Sequence, residues 1–484
     1  MAPYRKLFWS AVFHSVIGGC GWFDYTALNL LEPFIKKFIS NSLYRHYSWT
    51  PSETALAWLW SFLTTTWLIG NVPASLLLER CSEKLGRRNT VTILKNLAHI
   101  MSAFLQYWAV KLGSVELLFI GRFLAGFPSA MAFFLPVYLA ECSPPKHRGL
   151  IASIPGVGLQ IWCVLAMTLG LPSCLGTEDK WPLVLLFPAL PSLVHLLSTP
   201  LFHDSPKHLF ITQQNERLAR KAIKFYHGPD VNVEGVLSEF RLERDLAENQ
   251  DTVSYKRIWK VTHLFWPFLI CNVASCTIAF DGNLIANQYS LEALVGVPLQ
   301  SAKQLSVYAV HVPAVCISIA SLLLVEKTGR RSLFLWGTGI CVVAEVLVLM
   351  SGPLKHGNPS FSAYISVTGM ILIMLGDSLG PSIIRTFLPG ELCPQISRAL
   401  TTGTQFALEN FCAFIVTLYY PPANEQYGTW AMLPLLLVTV VIYVFLYFYL
   451  PETKNKTVSE IVSEWTLFEK EPLLYDAQRD WVYM

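Results

Sequence analysis

The sequence predicts an all-α membrane protein of twelve transmembrane helices, arranged as two pseudo-symmetric six-helix bundles. Three observations carry that prediction. The first is composition: 484 residues are 53% hydrophobic and only 14% charged, with a mean hydropathy of +0.43, far from the balance of a soluble domain of this length. The second is a succession of mostly apolar segments, each close to the roughly 20 residues a helix needs to cross hydrocarbon. The third is duplication. Gly86-Arg87-Arg88 recurs as Gly329-Arg330-Arg331, Glu141 precedes Arg148 as Glu391 precedes Arg398 at the same spacing, and each copy follows a long apolar run.

Taken in order, the segments start near Leu7, Ala55, Val91, Val115, Gly149, Trp181, His263, Leu305, Ser332, Ala363, Ala399 and Thr429. The run from Leu7 passes through Trp22, Phe23 and Asp24 to Leu31, too long for a signal-peptide core and without a clear small-residue cleavage site, so it is read as span 1. An even count puts both termini on one side. Arg80, Lys84, Arg87 and Arg88 between spans 2 and 3, Lys146 and Arg148 between spans 4 and 5, and Lys327, Arg330 and Arg331 between spans 8 and 9 name that side as cytoplasmic. Lys36, Lys37 and Arg45 after span 1 vote the other way, in a longer loop mixed with aromatic residues.

These boundaries divide the chain into a bundle over 1–202, a cytoplasmic linker over 203–262, a second bundle over 263–450 and a cytoplasmic tail over 451–484. In the linker, Asn215 to Phe225 and Val236 to Glu248 place apolar residues at helical spacing among charges, the pattern of short amphipathic helices that either only join the halves or also latch in part against one state. In the tail, Glu469, Leu473 and Leu474 have the spacing of a weak acidic dileucine sorting signal. Asn455-Lys456-Thr457, an Asn-x-Thr acceptor, falls on the cytoplasmic side and is expected to stay unmodified.

Other classes are set aside on composition. A net charge of +3 is too small and too mixed in sign to argue for nucleic acid. The 11 cysteines are scattered singly, many in apolar runs (Cys163, Cys316, Cys341, Cys412), with no close CxxC pair, and read as packing residues. No cofactor or metal is implied. No nucleophile and base pair is found by spacing, so an enzyme is not expected.

Duplicated membrane halves can rock around a shared midplane site, the architecture of a secondary transporter. Arg and Glu at the cytoplasmic helix ends exchange bidentate, charge-assisted hydrogen bonds. Glu83, Arg87, Arg88, Glu141 and Arg148 in one half, with Glu326, Arg330, Arg331, Glu391 and Arg398 in the other, are expected to form a gate that closes and parts. The plainer alternative makes them topology determinants only.

Motifs in a fixed order then bring a resemblance. Leu85-Gly86-Arg87-Arg88-Asn89, Gly121-Arg122-Phe123, Pro136-Val137-Tyr138 with Glu141, Arg148-Gly149, Asp204-Ser205-Pro206-Lys207, Val325 through Arg331, Gly380-Pro381, Glu391-Leu392, Arg398 and Pro451-Glu452-Thr453-Lys454 run from about Phe23 to Thr457. In these the chain resembles the sugar porters of the major facilitator superfamily, above all the animal facilitative glucose transporters. The resemblance implies the major facilitator fold and alternating access to one central solute site. It also implies motion about Gly380-Pro381, where a missing backbone donor loosens span 10.

The chain departs from that family where the family binds sugar. The family's Gln on span 5, Gln-rich run on span 7, Trp on span 10 and Asn on span 11 correspond here to Gly156, Ile278 through Leu284, Thr386 and Glu409. Replacements lie close by: Gln160 sits one turn beyond Gly156, and Asn283, Asn287 and Gln288 supply amides on span 7. Asp281, Arg385 and Glu409, beside Asn410, add charge where a charge costs about 2.5 to 3.5 kcal/mol on insertion scales. Two readings stay open: internal pairing of Arg385 with Asp281 or Glu409, and contact with a charged or zwitterionic solute. Asp24 occupies the Gly position of a Phe-Gly-Tyr run, two residues before the acid of proton-coupled relatives, with Arg122 available as its partner. His14, Glu345 and Asp377 are read as packing or interfacial groups.

The expectation is thus a monomeric carrier of a small polar solute, hexose by resemblance, working by facilitated diffusion in the plasma membrane or an endosomal one. The alternatives are a proton-coupled symporter of sugar or a charged organic solute, and a non-transporting nutrient sensor.

Overall fold

The structure is a computed structural model that describes residues 4–132, 134–144, 147–248, 255–294, 297–454 and 460–461. Lys146, Asn455 to Thr457 and the Glu469 to Leu474 segment lie outside them, as does the side chain of Glu326. A helix stands at each of the twelve predicted positions, its start within a few residues of the one read from hydropathy. Eight described stretches are long and apolar enough to cross a membrane by length and composition, and the last, Ile396–Tyr449, runs through two helices. The helices at the first three positions are not among those eight; they bury Asp24, Asn71, Lys95, His99 and Gln106.

Local chemistry sets the ends. Ser52 caps the span-2 helix Glu53–Leu85 by accepting from the Ala55 amide at 3.2 Å, and Asn358 caps Pro359–Leu379 through the Phe361 amide at 3.1 Å. Span 10 breaks at Gly380 and resumes as Pro381–Leu392, as expected. Two further breaks were not anticipated. Span 1, read as continuous, is Arg5–Val16, then a 3-10 turn Gly18–Trp22, then Phe23–Thr26, because four consecutive small residues at 18–21 let the backbone tighten against its neighbours. Span 7 is Thr262–Phe280 and then Asn283–Gln288, divided at Gly282 with φ +83°. The segment after span 1, read as a loop, is the helix Glu32–Tyr47.

The linker contains Pro206–Ile211, Glu216–His227 and Val233–Glu248. Their apolar faces close on each other through Leu209, Phe210, Ala222, Ile223, Leu237 and Phe240. Tyr226 docks this unit onto the first half: its hydroxyl and that of Tyr138 meet at 2.8 Å, and both reach the His203 carbonyl.

The hydrophobic core is distributed unevenly. On the face away from the termini, called distal below, one cluster runs through both halves and joins Leu31, Leu63, Trp67 and Leu68 to Ile285, Tyr289, Val416 and Tyr420. On the terminal face the clusters are separate, Leu7, Leu135 and Tyr138 in one half and Leu333, Leu388 and Leu446 in the other. Between them lies a vestibule of about 800 Å³, bounded by both halves and by the linker residues His227, Val236 and Phe240. The halves are therefore sealed distally and parted on the terminal side.

Candidate functional site

The terminal rim repeats one construction in both halves. Gly86 (φ +94°) and Gly329 (φ +97°) turn the chain between spans 2 and 3 and between spans 8 and 9, in a backbone region that favours glycine. Each turn exposes amides at a helix start, and a carboxylate from a distant segment takes them. Asp204 accepts from the Arg88 amide at 2.9 Å; Glu452 accepts from the Arg330 and Arg331 amides at 2.9 and 3.2 Å. Those carboxylates occupy the space a β-carbon would need at either glycine. Beside them Arg87 meets Glu141 at 3.4 Å and Arg330 meets Glu391 at 3.3 Å. The side chain of Arg88 donates to the Phe202 carbonyl and that of Arg331 to the Tyr447 carbonyl. Glu391 also accepts from Thr453 at 2.5 Å.

The expected gate residues are thus gathered at one face, and every ion pair seen between described residues lies within a half or within the linker. Arg148 and Arg398 line the vestibule with Glu141, Arg330 and Glu391. Arg398 donates to the Cys393 carbonyl at 3.3 Å.

Beyond the vestibule lies a cavity of about 120 Å³ between the halves; Pro136, Ala152, Ser153, Ile383 and Thr386 line both spaces. Of the residues expected at the site, Gln160, Asn283, Asn287, Arg385, Thr386, Glu409 and Asn410 line it. Asp281 is fully buried behind them, its Oδ1 accepting from the Asn283 amide at 3.0 Å, and Gln288 is buried without lining the cavity. The break at Gly282 is what aims Asn283 and Asn287 inward, as unwound segments of spans do when they line a protected cavity. A β-carbon at Gly156 would meet nothing within 4 Å, so the wall there is open.

Arg385 finds a different partner from the two expected. Its Nη1 lies 3.2 Å from Oδ1 of Asp377, and Asn283 Nδ2 donates to the other oxygen at 2.7 Å. Asp377, read from sequence as a packing group, is 1% exposed and lines the cavity. Trp22, Tyr25 and Trp67 also line it; nothing in their sequence context distinguishes them from aromatic packing residues. Above the cavity neutral hydrogen bonds cross between the halves: Asn71 to Asn410 at 3.1 Å, Asn29 to Ser290 at 2.9 Å and Thr64 to Tyr289 at 2.6 Å.

The first half holds a second polar cluster, sealed inside the bundle. Arg122 approaches Asp24 as expected, donating to its carbonyl at 3.1 Å and standing 3.9 Å from its carboxylate. The closer partner is His99, whose Nε2 is 2.7 Å from Asp24. His99 in turn meets Cys20 at 3.3 Å and Ser192 at 3.0 Å. Lys95 donates to the Gly18 carbonyl, and His195 meets both Asn96 (2.9 Å) and His14 (2.8 Å). Gly18 is required here, since a β-carbon would strike the His195 ring at 2.5 Å. Lys95 and His99, one helical turn apart on span 3, were legible as same-face polar residues in an apolar run, yet no motif marks them. Among the described residues, no group of three or more His, Cys, Asp or Glu side chains is arranged to hold a metal ion.

Comparison with known proteins comes to the same architecture. The family described as "Sugar (and other) transporter" matches residues 11–465. The solute carrier family 2, facilitated glucose transporter member 5 of Equus caballus is 28% identical over 461 residues, covering 93% of this chain and 89% of that protein. Member 9 of Homo sapiens is 29% identical over 448 residues, covering 91% and 81%. Among solved structures, the proton:xylose symporter XylE bound to 6-bromo-6-deoxy-D-glucose aligns with a TM-score of 0.74 at 18% identity, covering 96% of this chain and all of that one. The inward open conformation of XylE from E. coli aligns at 0.73.

Proposed function

Because the chain belongs to the sugar (and other) transporter family, as an integral multi-pass membrane protein of the major facilitator fold, we propose that it carries a small polar solute across a membrane by alternating access. The single observation that supports this most is the cavity between the halves, roofed distally by a shared apolar core and continuous with a vestibule on the terminal side. The state described is then the inward-facing one, with the terminal face in the cytoplasm and the distal face outside or in an endosomal lumen. The Arg87–Glu141 and Arg330–Glu391 pairs, with Arg88, Arg331, Arg148 and Arg398, form the rim that closes when the distal seal opens, and Gly380-Pro381 supplies the bend. Gln160, Asn283, Asn287, Arg385, Thr386, Glu409 and Asn410 hold the solute, and the protein works as a monomer.

Facilitated diffusion is the primary reading, and hexose is the class that membership suggests. Proton coupling is the second reading, favoured by one observation: the buried Asp24 carboxylate stands within reach of both the His99 imidazole and the Arg122 guanidinium of the same bundle. Uptake of labelled solutes into proteoliposomes, with and without an inward proton gradient, tests both. Equal rates support diffusion; accumulation driven by the gradient supports symport. Binding without flux for every solute tried defeats transport and favours a sensor.

A further inference from the structure

The cavity gathers more acidic groups than a neutral sugar site has use for. Three carboxyl groups, Asp281, Asp377 and Glu409, surround one guanidinium, Arg385. Asp377 engages that guanidinium at 3.2 Å and leaves it no surplus charge for an anionic solute. Asp281 lies behind the wall, so the acid that faces the cavity without an engaged cation is Glu409. Its side chain lines the cavity, the residue is only 9% exposed, and among the described residues it makes no hydrogen bond and no ion pair. An acid so buried, with the neighbouring Arg385 guanidinium already engaged by Asp377, is costly to ionise, and a cation in the cavity offsets that cost.

The rest of the wall suits one kind of cation. Trp22, Tyr25 and Trp67 line the same small space, with Tyr25 and Trp67 at 5.6 Å between centroids. An ammonium group, protonated or quaternary, is stabilised over such faces by the ring quadrupole. The distal approach agrees in sign: a cavity of about 360 Å³ there is lined by Glu32, Glu53 and Glu425 against one lysine, Lys36, which is itself paired with Glu32 at 2.6 Å. An acidic mouth of that kind raises the local concentration of cations.

The geometry points to a solute that bears an ammonium group, seated between the Glu409 carboxylate and the aromatic wall, with its hydroxyl or other neutral groups on Gln160, Asn283 and Asn287. This rests on the reading of the cavity as the solute site of a transporter. The test uses matched pairs on the purified full-length protein: glucosamine against glucose, and choline against its uncharged isostere 3,3-dimethyl-1-butanol. Binding is read by thermal stabilisation, and flux separately in proteoliposomes. The amine of at least one pair is expected to bind on the order of tenfold more tightly than its neutral counterpart, the size of a charge-assisted hydrogen bond. Glu409→Gln should abolish that ratio and Glu409→Asp should keep it. Neutral partners binding equally or better in both pairs overturn the inference on the wild-type protein alone, and so does a ratio that survives Glu409→Gln. Amine binding with no flux of any solute would instead sink the transport reading and leave the ammonium site standing. Flux of neutral hexose without amine preference would do the reverse.

Discussion

The two halves share a rim and differ in their interiors. At the terminal face Gly86 and Gly329, Asp204 and Glu452, and the pairs Arg87–Glu141 and Arg330–Glu391 are counterparts in position and chemistry. Inside, the first half encloses Lys95, His99, His195, His14 and Asp24 in a network that faces its own helices. The second half breaks span 7 at Gly282 and span 10 at Gly380 and turns Asp377, Arg385 and Glu409 toward the cavity. The repeated part is suited to moving two bodies alike. The divergent part puts the charged wall of the cavity in one body and a sealed polar network in the other.

That division is broken most severely at Arg385. Arg385→Leu leaves three buried acids without their cation and should destabilise the fold by about 3 to 5 kcal/mol, seen as loss of the monodisperse peak in size-exclusion chromatography. Asp377→Asn, which keeps the shape and the hydrogen bond from Asn283, should be milder. If Arg385→Leu is well folded and alters only solute selectivity, the ion pair has a binding role and little structural one. Next comes the rim. Glu391→Ala and Arg398→Ala should slow flux several-fold with membrane insertion intact, and Glu141→Ala should match Glu391→Ala if the halves contribute equally; unequal losses would show that one half leads. Smaller again, Gly86→Ala and Gly329→Ala should each lower thermal stability by about 1 kcal/mol or more, since both combine a left-handed backbone with a carboxylate in the β-carbon's place.

The smallest effect concerns the linker. Burial, with a lesser push from Arg148, holds the His227 imidazole below its ordinary pKa, so it docks uncharged. A histidine depressed in the folded state binds fewer protons there than when released, so docking strength is full above about pH 6.5 and falls as the solution is acidified below it. Hydrogen exchange over Glu216–His227 at pH 7.5 and 5.5 should show faster opening at the lower pH.

The twelve positions and the rim motifs were legible because hydropathy and charged punctuation are local properties of the chain. The apolar run that ends near Val110 looks the same whether Lys95 and His99 face a partner or are tolerated interruptions, so the buried network of the first half left no readable trace. The pairing of Asp377 was illegible for a related reason: its partner Arg385 lies eight residues further and across the Gly380 break, and only the folded helix brings it within 3.2 Å. Of the amides named on span 7, Asn283 and Asn287 line the cavity, whereas Gln288, at the far end of the same short helix, does not.

The fused apolar cluster on one face and the charged rim on the other make the two closures answer to different conditions. Contacts among Leu63, Trp67, Tyr289 and Tyr420 weaken on cooling and are not loosened by salt, whereas the partly exposed ion pairs of the rim are screened as ionic strength rises. Chilling should therefore tip the resting population toward opening of the distal face, and concentrated electrolyte toward opening of the terminal face, giving two independent handles for trapping either form.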